Sequence, residues 1–142
     1  VAYTNPGEEF LKAHPTVSSP DDIIEYARFL RKSVSIPEDQ PVDLNEILSR
    51  FGMPTPEKAE LKKTDGMLVN PYKGLILIDG EAPITRSRFT IAHELVEVLF
   101  DVLKKERKAV AGKIAGFKPR VKEYLCNIGA AEILMPHSQV AI

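Results

Sequence analysis

Over residues 85–105 the apolar positions repeat at intervals of three and four: Phe89, Ala92, Val96, Leu99 and Leu103 form one face, and Ile91, Leu95, Val98 and Val102 widen it. So broad an apolar surface predicts a helix buried along most of its length. Leu44, Ile47, Leu48 and Phe51 follow the same spacing and predict a short helix over residues 42–51, ended by Gly52 with Pro54 preventing resumption. Before it, Ser19 followed by Pro20, Asp21 and Asp22 is a helix start: a capping hydroxyl, proline in the first turn, and acids at the positive end of the dipole. Ile23, Ala27 and Leu30 give that helix its buried face, with Tyr26 and Phe29 beside them.

Between residues 66–70 and 74–79 the pattern changes to two β-rich runs joined by the turn-forming Asn70-Pro71-Tyr72-Lys73, which predicts a hairpin. Residues 58–63 are read as a third, outer strand. Pro119 is placed to open a last helix through Leu134, with Met135 and Pro136 closing it. Residues 1–18 show neither period and are read as an irregular arm, leaving 19–142 as a single domain of the α+β class.

Composition narrows the function classes only slightly. Nineteen basic and twenty acidic residues nearly cancel, so bulk charge argues for neither nucleic acid nor membrane binding. The exception is local: eight basic residues and one acid lie between Lys104 and Lys122, a run that reads first as a solvated loop and second as a docking patch. A lone cysteine, Cys126, excludes an intramolecular disulfide and fits a reducing cytoplasm. No apolar run approaches the roughly 20 residues needed to span a bilayer, so no membrane partner is expected.

The chemistry sits on the polar side of the long helix, where Thr90, His93, Glu94, Glu97, Asp101 and Lys104 recur at helical spacing. His93-Glu94-x-x-Glu97 has the form of a zinc-peptidase helix, in which two ligands one turn apart face one metal and the inner glutamate works on its water; here the second histidine is a glutamate. A solvated stripe has the same spacing. A second feature stands on the last helix, where Glu123 and Asn127 lie four apart among Gly129, Ala130 and Ala131, small residues that permit a close helix approach.

Together these runs resemble the ImmA/IrrE family of metallopeptidase-like proteins. Arg88-Phe-Thr-Ile-Ala-His-Glu-Leu is similar to that family's R-F-T-I-A-H-E-L-G-H, and Glu123 through Met135-Pro136 to its E-x-x-A-N-x-F-A-A-x-L-L-M-P. The resemblance reaches from about residue 40 to 136 and includes the short helix and the hairpin. It implies a zincin-like domain with a small antiparallel sheet, His93 and Glu123 as metal ligands, Glu94 as general base and Asn127 as a residue that orients a ligand. It also implies a protein substrate, plausible forms being helix-turn-helix repressors cleaved in a stress or mobile-element response.

Departures from the family pattern include Glu97 for histidine, Val96 for glycine and Cys126 for alanine, the last two reading as minor. With Glu97 as second ligand the site is more acidic, its metal a weaker Lewis acid, and manganese or iron become acceptable beside zinc. In the other outcome no metal is held, Glu97 makes a hydrogen bond, and the fold survives as a regulatory or protein-binding module. His137 and His14 read as surface residues, and Arg86 and Arg88 as partners for carboxylates such as Asp79 or Glu81. Direct DNA binding through the basic run is the weakest reading, and it predicts steep salt dependence.

Overall fold

Along the chain of the computed structural model, which describes residues 2–35, 40–69, 73–105 and 118–135, come α1 (Pro6–Ala13), α2 (Pro20–Lys32), α3 (Leu44–Arg50), β1 (Glu57–Ala59), β2 (Gly66–Val69), β3 (Leu75–Asp79), α4 (Ile84–Lys105) and α5 (Pro119–Leu134). The class is α+β, as the periodicities predict. The broad apolar surface of α4 is buried as expected: Leu95, Leu99 and Leu103 are wholly covered by α1, α2 and α5. Each such side chain contributes about 1.5–3 kcal/mol of burial.

Two expectations need correction. Residues 6–13, read as irregular, form α1: the Asn5 side chain accepts hydrogen bonds from the Gly7 and Glu8 amides at 2.8 and 3.2 Å, Pro6 opens the first turn, and Glu8 and Glu9 face the dipole. The helix survives because Phe10 is buried against Tyr26 and Phe29, a tertiary gain invisible in an eight-residue pattern. The sheet, expected to be antiparallel, is mixed. Its order is β1-β3-β2; β2 and β3 make the predicted antiparallel hairpin, with Met67 opposite Leu77, while β1 runs parallel to β3 with Lys58 opposite Ile78. The chain leaves β1, crosses to form β2 on the far side, and returns as β3, so the two outer strands necessarily differ in sense relative to the middle one.

Two close approaches fix where α4 lies. A Cβ on Gly129 of α5 would stand 2.7 Å from Val96 Cγ2 and 3.0 Å from Ile23 Cγ2, so only glycine lets α5 settle against α4 and α2 at this depth. Val96, bulkier than the family's glycine, is thus accommodated by Gly129 opposite. Likewise a Cβ on Gly66 would collide with Thr90 Cγ2, and its lack lets β2 lie along α4. Buried polar groups brace the same elements. Tyr26 donates its hydroxyl to the Leu95 carbonyl at 2.8 Å, and the buried Arg31 guanidinium donates to the carbonyls of Ile133 at 2.7 Å and Gln40 at 3.1 Å. Among the described residues no helix is long and apolar enough to cross a membrane.

Candidate metal centre

The polar stripe of α4 faces a cleft of about 460 Å³ between α4, α5 and β2. Thr90, His93, Glu94, Glu97 and Asp101 line it from α4, Glu123 and Asn127 from α5, and Gly66, Met67 and Leu68 from β2. The apolar side of α4 therefore builds the core, and the opposite side lines a cleft that is open to solvent.

His93 is the centre of the arrangement. Its Nε2 lies 3.1 Å from Glu123 Oε2 across the α4/α5 interface, and its Nδ1 lies 3.2 Å from Glu94 Oε2 on its own helix. The Glu94 carboxylate at Nδ1 is the main reason that the His93 pKa rises above its ordinary value; burial opposes the rise and the Glu123 charge adds to it. Glu97 does not touch His93's two partners but has its own. Lys122 donates to Glu97 Oε2 at 3.2 Å, and the Cys126 thiol donates to Glu97 Oε1 at 3.5 Å. Burial alone would lower the Lys122 pKa, yet the Glu97 charge and hydrogen bond lift it, and burial followed by Glu97 pushes the Cys126 thiol far up.

The predicted residues are thus all in one cleft, but not in one contact. Glu123 reaches His93; Asn127 lines the wall and hydrogen-bonds neither of them. Donor atoms of His93, Glu97 and Cys126 all lie within 4.8 Å of one another, a set that could hold a metal ion and that sequence reasoning missed by passing over Cys126 as minor. Its signal was only the change from alanine in the motif. Elsewhere, His14 is partly covered and pairs with Asp22 at 2.7 Å, Arg88 donates to the Val42 carbonyl at 3.2 Å in place of a carboxylate, and Arg86 stands 4.0 Å from Asp65. His137 and residues 106–117 of the basic run fall outside the described residues.

The donor set fits a small dication. Two ligands of a tetrahedral zinc at about 2.0–2.2 Å stand roughly 3.3–3.6 Å apart, a few tenths of an ångström more than the 3.1 Å between His93 Nε2 and Glu123 Oε2. Charge agrees with geometry. Of the five carboxylates lining the cleft, Asp65, Glu97 and Asp101 have Arg86, Lys122 and Lys105 as ion-pair partners, whereas Glu94 and Glu123 share the imidazole of His93, with the Lys122 charge also acting on Glu123 from farther off. That surplus of negative charge beside a nitrogen donor is what a divalent cation neutralises.

Residues 38–141 match the peptidase family described as the IrrE N-terminal-like domain. The radiation response metalloprotease IrrE of Deinococcus radiodurans is 37% identical over 76 residues, which cover 51% of this chain and 22% of that protein. The match thus spans under a quarter of the length of that relative.

Proposed function

This chain belongs to the peptidase family of IrrE N-terminal-like domains, and on that premise we propose that its cleft is a metal-dependent peptidase site acting on an extended protein segment. One observation carries the reading: His93 and Glu123, 30 residues apart in sequence, meet at 3.1 Å in the cleft with Glu94 on the other ring nitrogen. His93, Glu97 and Glu123 would hold the ion, zinc before manganese or iron. A bound dication supplies Lewis acidity, polarising a carbonyl and acidifying water.

The chain's own groups do the rest. Donation from His93 Nδ1 to Glu94 Oε2 fixes the imidazole tautomer and turns Nε2 toward the cleft. Glu94 Oε1 is assigned to proton transfer, accepting from the attacking water and returning the proton to the leaving amine. The substrate backbone is held by β2, whose outer edge carries no strand among the described residues, while exposed Met67 and Phe89 offer apolar contact to its side chains. A helix-turn-helix repressor remains the partner that the family resemblance suggests, and the cytoplasm the location that one unpaired thiol suits. The test is cleavage of unstructured protein substrates by the zinc-loaded chain, followed by mass spectrometry. Glu94→Gln should abolish turnover while keeping the metal, and undiminished cleavage by that variant would contradict the assignment.

A second reading has its own observation. The Lys122 ammonium already neutralises Glu97 at 3.2 Å, as in a cleft that holds a partner protein without metal or chemistry. Lys122→Met separates the two, because removal of a competing cation raises dication affinity at a metal site and leaves a metal-free module with no affinity to raise.

A further inference from the structure

The thiol of Cys126 is wholly buried and could be taken for a small core side chain, since Cys126 belongs to the apolar cluster that joins α4 and α5. Its polar contact argues otherwise. The S–H points at Glu97 Oε1 at 3.5 Å, under the floor of the cleft, and Sγ, that carboxylate and a His93 ring nitrogen all lie within 4.8 Å of one another. A zinc bound at about 2.3 Å to sulfur and about 2.0 Å to oxygen holds those two atoms roughly 3.5 Å apart in a tetrahedron, so the proton between Cys126 and Glu97 sits where a cation would. Oε1 faces the thiol while Oε2 is held by Lys122. The ammonium therefore orients Glu97 without occupying its metal-facing oxygen.

The sequence adds a second, separate observation. Glu97 and Cys126 are two of the five positions at which this chain departs from the motifs it resembles, the others being Val96, Gly129 and Ile133, and these two new polar side chains touch. A nitrogen donor is lost on α4 and a sulfur donor appears opposite it on α5.

We propose that Cys126 is a metal ligand, so that His93, Glu97 and Cys126 form a mixed nitrogen, oxygen and sulfur site selective for a thiophilic dication over manganese or magnesium. This rests on the metal-site reading above and replaces the oxygen-rich site that Glu97 alone suggests, with the fourth position, on the cleft side, shared between Glu123 and water. Binding exchanges the S–H bond for a sulfur–metal bond; the proton leaves to solvent water through the cleft, and nothing is oxidised or reduced. Soft thiolate favours zinc, cobalt or cadmium, while manganese and magnesium prefer all-oxygen sites.

Cobalt(II) titration of the intact chain, followed by optical absorption, tests the proposal through ligation itself. The expected result is a thiolate-to-cobalt charge-transfer band in the near ultraviolet that rises to a single equivalent together with the visible d–d bands of a four-coordinate site. Cys126→Ser should remove the charge-transfer band, keep the d–d bands, and lower zinc affinity by about tenfold or more while changing manganese affinity by less than about twofold. The wild-type spectrum decides even if that variant does not fold. Bound cobalt with d–d bands but no charge-transfer band overturns the ligand assignment and leaves the metal site standing; no cobalt binding at all overturns both.

Discussion

Two of the described histidines meet a carboxylate through Nε2, and only one of them lines the cleft. His14 lies 2.7 Å from Asp22 Oδ1, and His93 lies 3.1 Å from Glu123 Oε2. The difference is in what the carboxylates do next. Asp22 also accepts the Ser18 and Ser19 amides at 2.8 and 3.0 Å, and His14 stacks on Phe10, so the pair ends in backbone donors at the start of α2 and ties α1 to it. His93 is shared by two carboxylates, with Glu97 one turn on, and the group opens into a cleft. A histidine–carboxylate pair whose charge is absorbed by the backbone is a staple; one with negative charge left over is a place for a cation.

Substitutions at the two pairs should therefore fail in opposite ways. Glu123→Ala should weaken dication binding by at least about 100-fold with little loss of stability, since its side chain is 58% exposed. Asp22→Ala should leave metal affinity unchanged and lower stability by about 1 kcal/mol through the lost cap. Metal titration and thermal melts on both variants check this, and parallel behaviour would erase the distinction. Gly129→Ala should damage both properties together: its Cβ would press on Val96 and Ile23, costing about 1–3 kcal/mol and pushing α5, with Glu123 and Cys126, off α4.

Smaller effects sharpen the comparison. Glu97→His should raise zinc-dependent peptide cleavage by about tenfold, because a neutral ligand leaves the metal a stronger Lewis acid; no change in a zinc-loaded variant would mean that the cleft lacks other parts of the machinery. Lys122→Met should raise dication affinity by about threefold, a modest gain because the ion pair is partly solvated. The least is expected from pH at the staple. Burial works to raise the Asp22 pKa, but hydrogen bonds from Ser18, Ser19 and His14 outweigh it and set the value below the ordinary 3.8. A depressed carboxyl stabilises the fold above its unfolded value and loses that contribution as pH falls through the folded one. Wild type should thus exceed Asp22→Asn in stability at neutral pH, with the gap closing only below about pH 4.

Most of the fold could be read from the chain, because α4 and α5 carry their own signals. The apolar repeat from Phe89 to Leu103 and the proline at 119 give helices whose observed bounds, Ile84–Lys105 and Pro119–Leu134, differ from expectation by no more than a residue. Where stability came from distant contacts, the pattern was silent. The first helix depends on burying Phe10 against α2, and the sense of β1 depends on the chain crossing the sheet. The site divides in the same way. His93, Glu94 and Glu97 are set by spacing on one helix, whereas the neighbours of Glu97 depend on how α5 crosses α4. Lys122 and Cys126 meet that carboxylate because Gly129 lets the two backbones close together, a register that spacing along either helix does not encode.

The central claim is that the surplus charge around His93 is a metal site. Metal content of the intact chain, purified without chelator or affinity metal, reconstituted with zinc and dialysed, tests it most directly. The account predicts a single tightly held equivalent that disappears in a folded Glu123→Ala variant and persists in Asp22→Ala. Zinc absent from the wild-type chain after reconstitution, or retained in full by Glu123→Ala, would contradict it.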